Sequence, residues 1–218
     1  MLEVQVLALV LSCQALQPKL VCLEYASALR AKDEQRMCQT VDIPQVPATD
    51  DRLCSSQDLL RSIVALHVAE YSLDEKCRKR FGRSLDECLP DGSFMTEGYL
   101  QRWLSCILIS RSVRTPTGIE IELNGAVPRL TKQRLKNSNS RWVLTHMPTA
   151  DEEDLVATLN QPLFLNLSFV HALQFAAFLR SLEARIGDSK GTGLSSFDEV
   201  KSALYDALGK AAGEPHRE

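Results

Sequence analysis

None of the short motifs that mark catalysis or cofactor binding occurs in this sequence. Its seven cysteines include no CxxC pair, so neither a zinc ribbon nor a thioredoxin-type redox centre is encoded. The dinucleotide fingerprint and the Walker A loop are both missing. Gly187-Asp188-Ser189-Lys190-Gly191-Thr192-Gly193 holds glycines and a lysine in the wrong order, and no apolar strand precedes it, so it reads as a linker. The four histidines are too scattered to spell out a metal site. No uninterrupted run reaches the roughly 18–20 apolar residues that a membrane-spanning helix needs. These absences lead us to expect no enzyme, no cofactor, no metal and no membrane span.

What is present is ordinary for a globular chain. Of 218 residues, 44% are hydrophobic and 24% charged, which excludes collagen-like, low-complexity and wholly disordered classes. That length makes one large domain or two small ones, with roughly 70% of the unfolded chain's surface available for burial. The formal net charge of −3 conceals an asymmetry. Residues 1–75 carry 6 Lys and Arg against 11 Asp and Glu, residues 76–141 carry 13 against 6, and residues 142–218 carry 6 against 11. A basic middle between acidic flanks either meets an anionic partner or is neutralised across the protein's own surface.

Cysteines stand at positions 13, 22, 38, 54, 77, 88 and 106, an odd number. Cys13, Cys22 and Cys106 occupy apolar, helix-like contexts where a free thiol behaves as a small hydrophobe. This favours a reducing interior, cytoplasmic or nuclear, over secretion. Residues Val4 to Leu16 resemble the core of a signal peptide, and residues 1–17 could be one that is cleaved. Yet Glu3 sits where that segment should be positive and no A-x-A site follows. The sequon Asn166-Leu167-Ser168 lies in an apolar run expected to be buried.

Read for organisation, the chain is mainly α, a helical bundle with a small antiparallel hairpin or sheet around residues 118–146; an α+β fold is the alternative. Leu2–Leu16 and the stretch from Leu20 to Arg36 form an N-terminal helical hairpin over residues 1–38. Pro44 and Pro47 mark a connector over 39–54. Residues 55–212 form a helical domain with the hairpin inserted, and 213–218 a frayed tail. Within that domain, Ser55 or Ser56 caps a helix to about Tyr71, and Asp74 to Gly82 reads as a second, short helix whose acids lead and bases follow. Pro90 to Ser93 form a turn. Thr96 caps a helix that buries Leu100, Trp103, Leu104 and Ile107 and ends near Ser112. Gly118 to Leu123 alternates and closes on Asn124-Gly125, and Arg141 to His146 is a second strand, with a long basic loop over Lys132–Ser140. Leu163 to Leu182 is apolar on nearly every side, which predicts the central helix of the bundle. Ser196 and Glu199 form a capping box for the last helix.

Single residues carry little chemistry. His67 and His171 are expected in the core, His146 at an exposed strand end, and His216 in the tail. Cys77, between Lys76 and Arg78, has the best local electrostatics for an activated thiolate, but no family signature accompanies it. The remaining constellation is basic. Lys76, Arg78, Lys79, Arg80 and Arg83 place five cations in eight residues, and Arg129, Lys132, Arg134 and Lys136, with Arg141, form a second group. We therefore expect a non-catalytic intracellular interaction or adaptor subunit that binds an acidic protein surface through its helical faces and this basic middle. The alternative is a nucleic-acid-binding module of winged-helix type, an analogy at the level of fold only.

Overall fold

The computed structural model describes residues 17–88, 94–123, 127, 130–149, 152–187 and 193–211. The expected helix over Leu2–Leu16, the Pro90–Ser93 and Asn124-Gly125 turns, most of the Gly187–Gly193 linker and the tail with His216 lie outside these residues. The chain is mainly helical with one small antiparallel sheet, as its patterning predicts.

Helix α1 spans Leu20–Arg30 and α2 Glu34–Gln39. The expected continuation of α1 to Arg36 is interrupted by Lys32, whose φ of +58° is left-handed, and Asp33 then caps α2 by accepting from the Arg36 amide. Beyond α2 the chain runs extended along the sheet. The Asp42 amide donates to the Leu144 carbonyl at 2.8 Å and the Leu144 amide to the Thr40 carbonyl at 2.9 Å, with Ile43 and Cys54 buried.

Helix α3, Ser56–Phe81, is the spine of the molecule. Ser55 opens it with a reciprocal capping box, its hydroxyl accepting from the Asp58 amide while the Asp58 carboxylate accepts from the Ser55 amide. Gly82, at φ +70°, closes it. The two helices expected here are one, because no breaker separates Tyr71 from Asp74. The acids and bases that resemble a fresh start instead form i,i+4 pairs within one helix, Asp74 with Arg78 and Glu75 with Lys79.

Helix α4, Glu97–Ile109, is capped by Thr96 and ends earlier than expected, because Ser112–Thr115 is strand β1. Strands β2 (Gly118–Glu122), β3 (Lys132–Ser138) and β4 (Arg141–Leu144) complete a meander in sequence order. The basic loop expected over Lys132–Ser140 is therefore a strand. Its alternation is concealed by Gln133, a polar residue facing inward that accepts from the Trp103 indole at 3.2 Å and is fully buried beside Leu135. Asn139 and Ser140, both at positive φ, turn β3 tightly into β4. Gly118 sits so close to β3 that a Cβ there would stand 2.0 Å from the Leu135 carbonyl oxygen.

Helices α5 (Glu152–Asn160), α6 (Pro162–Arg185) and α7 (Phe197–Ala211) finish the fold. Buried side chains form two clusters along α3. The larger joins Tyr25 and Leu29 of α1, Leu59 and Val64 of α3, Trp103 of α4, the inner face of the sheet and Leu165. The smaller joins Leu73 and Cys77 of α3 to Leu179 and Leu182 of α6 and to Val200 and Leu204 of α7. Helix α6 is not the central helix its composition predicts. It is long and apolar enough to cross a membrane by length and composition, yet only 22% of its most apolar stretch is buried within the fold. Leu165, Ala172, Ala176, Leu179 and Leu182 form a single buried stripe against α3, and Phe175 and Phe178 are half-buried.

Candidate interaction surfaces

Asp74 organises the basic end of α3. It is fully buried, and one oxygen accepts from the Ser84 hydroxyl at 2.7 Å and the Leu85 amide at 2.9 Å. The other accepts from Arg78 Nε at 2.9 Å. Arg78 is thus folded down onto a buried carboxylate. Lys79 pairs with Glu75 at 2.8 Å, and Lys32 reaches the same carboxylate at 3.0 Å. These two hydrogen bonds, that of Lys79 foremost, bring the Glu75 pKa down to about 2. Arg83 pairs with Glu87 at 2.9 Å and lies 4.3 Å over the ring of Phe197, tying the end of α3 to α7. Lys76 and Arg80 are exposed and, among the described residues, make no ion pair.

The second basic group lies on the sheet. Lys132, Arg134 and Lys136 alternate along β3 and so share one face. Register places Glu120 of β2 opposite Arg134, and its carboxylate takes Arg134 at 2.8 Å and Lys132 at 3.0 Å. Those bonds, with Arg134 the stronger, hold the Glu120 carboxyl below its usual range. Arg134 also meets Glu152, and Lys136 pairs with Asp42 at 2.9 Å. An open cleft of about 400 Å³ runs over this face, lined by Asp42, Thr115, Glu120, Arg134 and Lys136 among others. Arg141 turns aside to Glu24 at 2.9 Å, and Arg129 lies outside the described residues. No ion pair or hydrogen bond among the described residues joins the β3 group to the cations of α3.

The buried polar pair His67 and Glu70 lies in the middle of α3, and of the two the sequence points only to His67. Tyr25 Oη and His67 Nδ1 are 2.6 Å apart, and His67 Nε2 lies 3.0 Å from the Thr149 hydroxyl. Burial lowers the His67 pKa to about 3, so the ring is neutral, with one nitrogen accepting and the other donating in the line from Tyr25 to Thr149. Glu70, one turn on, accepts from the Met95 amide at 3.0 Å, and burial raises its pKa to about 8. Two other histidines differ from expectation. His146 is buried, against the Lys132 carbonyl and beside Gln133, because the strand end folds under the sheet. His171 is exposed, because α6 is not central. Cys77 is also corrected: its side chain faces the smaller core, away from Lys76 and Arg78. Burial first, and the nearby Asp74 second, push its thiol up to about 12. Burial likewise puts Cys22 at about 12 and Cys88 at about 11.

The surface that sequence reasoning missed is the outer side of α6. Leu163, Phe164, Leu167 and Leu173 are exposed, Leu163 by 66%, and Leu53 stands 74% exposed alongside. Leu53 is held there by Asn166, whose side-chain carbonyl accepts from the Leu53 amide at 2.8 Å and whose amide donates to the Asp51 carbonyl at 3.1 Å. The sequon asparagine is thus half-buried and engaged in fastening a loop. The clue in the sequence was a polar rim, Asn166, Ser168, His171 and Gln174, interrupting the apolar run. Among the described residues, no group of three or more His, Cys, Asp or Glu is placed to hold a metal ion. Compared with protein-family models, with curated proteins and with solved structures, the chain matches none.

Proposed function

We propose that this protein is a non-catalytic, intracellular interaction subunit that binds another protein through the outer face of α6. The observation that carries this reading is the cluster of exposed apolar side chains at Leu163, Phe164 and Leu167, next to Leu53. A contiguous apolar patch rimmed by polar residues is how partner surfaces differ from scattered surface leucines. Arg185, exposed farther along the same helix, suits a partner with acidic residues flanking an apolar helix, whereas Arg180 is engaged with Glu34 at 3.2 Å. The inward-facing, un-ionised thiols fit a reducing compartment.

The nucleic-acid alternative draws less support. Arg78, Lys79, Arg83, Lys132, Arg134 and Lys136 each hold a carboxylate of this chain, which leaves Lys76 and Arg80 as the uncommitted members of the described group. Phosphate binding would have to break those pairs first.

The test compares the wild-type chain with Phe164→Asp/Leu167→Asp and Lys76→Glu/Arg80→Glu variants as baits in lysate with and without nuclease, read by quantitative mass spectrometry. Proteins retained by the wild type should be lost from the α6 variant and kept by the charge variant. Retention that ignores the α6 substitutions but disappears with nuclease or charge reversal overturns the proposal in favour of nucleic acid.

A further inference from the structure

The sheet has two edges, and among the described residues only one of them is covered. Along β4 the extended segment after α2 takes up the ladder, with the Asp42 amide donating to the Leu144 carbonyl and the Leu144 amide to the Thr40 carbonyl. The other edge is β1, Ser112–Thr115. Its hydrogen-bonding phase follows from the pairing of β2 with β3. The Leu123 amide donates to the Thr131 carbonyl at 2.9 Å, so by antiparallel alternation Ile121 and Ile119 bond β3 while Glu120 and Gly118 bond β1. The register partners of those two on β1 are Val113 and Thr115. The amides and carbonyls of Ser112 and Arg114 therefore point away from the sheet, and no hydrogen bond among the described residues takes them up.

The side chains of this edge are as open as its backbone. Val113 is 49% exposed, and Arg111 and Arg114 are exposed and make no ion pair among the described residues. Alternation places Val113 on the face of Glu120 and Arg114 on the opposite face, that of Ile119. We infer that β1 accepts an extended segment of another protein as a fifth strand, one that alternates acidic and apolar residues. The backbone groups of Ser112 and Arg114 supply the ladder. Arg114 meets the acidic side chains on one face and Val113 the apolar ones on the other, while Arg111 adds positive charge just before the strand. A second copy of this chain is the poorer occupant, because pairing β1 with itself brings two arginines from each chain onto one short ladder. β1 shares no residue with the α6 face, so this inference stands or falls independently of the proposed function.

The probe is a fluorescein-labelled, end-capped peptide of alternating glutamate and valine, titrated with the full chain at physiological salt and read by anisotropy. It should bind, and a lysine–valine peptide should not. Arg111→Glu with Arg114→Glu should weaken binding by about tenfold or more. Ser112→Pro should weaken it by a similar factor with both arginines in place, because the amide it removes points out of the sheet, where an edge strand tolerates proline. Both variants should keep the wild-type melting temperature. On binding, the Ser112 and Arg114 amides should become protected from hydrogen exchange, read residue by residue by NMR. The inference is overturned if the peptide fails to bind by about 1 mM, if binding persists undiminished in either variant, or if those two amides exchange as before. Concentration-dependent dimerisation that Ser112→Pro abolishes would give the edge to a second copy. Loss of the peptide to an equal concentration of oligothymidylate would give the arginines to phosphate, and either result also overturns the inference.

Discussion

Glu70 and His67, one turn apart on α3, pull stability in opposite directions as pH changes. Glu70 keeps its proton in the folded chain to about pH 8 but loses it near 4.5 once unfolded, so unfolding releases a proton across that interval and stability falls as pH rises through it. His67 is neutral in the fold down to about pH 3 and protonates near 6.5 when unfolded, so stability falls as pH drops from 6.5. The two slopes offset each other between 4.5 and 6.5, and above 6.5 the decline due to Glu70 stands alone. Glu70→Gln, which retains an acceptor for the Met95 amide, should remove roughly 2 kcal/mol of stability loss between pH 6.5 and 8, read from urea midpoints at each pH. An unchanged slope would show that Glu70 is ionised in the fold. Arg78 supplies a second contrast at this scale. Arg78→Glu places a charge against buried Asp74 and should cost about 1–3 kcal/mol, whereas Arg80→Glu, which breaks no pair, should stay within about 0.5 kcal/mol. Equal melting temperatures for the two variants would refute the role given to Asp74. Composition revealed the basic run but not this difference, because Asp74, which holds Arg78, is itself held by Ser84 and Leu85 only through the turn that follows Gly82.

At the scale of elements, α6 and β3 show where patterning succeeds and where it stops. Capping chemistry was legible at most helices: Thr96, Gly82 and Ser196 with Glu199 act as their residue types predict, and of Ser55 and Ser56 the first is the cap, whereas the Asp33 cap of α2 was missed. The periodicity of α4 was equally legible, since Leu100, Trp103 and Ile107 have no other way to be buried. Strand β3 was hidden because one of its inward positions is Gln133, whose burial depends on an indole thirty residues away in sequence. Helix α6 was misplaced because an all-round apolar helix looks the same whether its outer side meets this chain or something else. Its energetics follow from the observed stripe. Leu179→Ala should cost about 2–5 kcal/mol, while Phe178→Ala, half-buried, should fall short of the 3–5 kcal/mol typical of a sealed ring. Chemical denaturation of both variants measures this, and a Phe178→Ala loss larger than that of Leu179→Ala would mean that α6 is seated the other way round.

At the scale of the whole molecule, two cores share one long helix, and the six described cysteines are free thiols. Cys22, Cys54, Cys77 and Cys88 are buried. Reductant should therefore leave the melting temperature unchanged, and a thiol reagent should modify the half-buried Cys38 and Cys106 well before the others. Disulfides found by mass spectrometry of the unreduced protein would contradict both expectations. The candidate surfaces were less legible than the fold, because a charge run announces only that cations are present. Whether they are spent on Asp74, Glu120 and Asp42 depends on contacts between segments far apart in the chain.

The different settings of the two tryptophans give the molecule two optical channels. Trp103 is sealed in the larger core, edge-on to Tyr25 with ring centroids 6.0 Å apart, whereas Trp142 is half-buried beside Gln17 and Leu20. Iodide in solution should quench the Trp142 emission and leave that of Trp103, so the unquenched, blue-shifted component reports global unfolding. The quenchable component reports events where β4 meets the start of α1, and a Trp142→Phe chain isolates the first signal from the second.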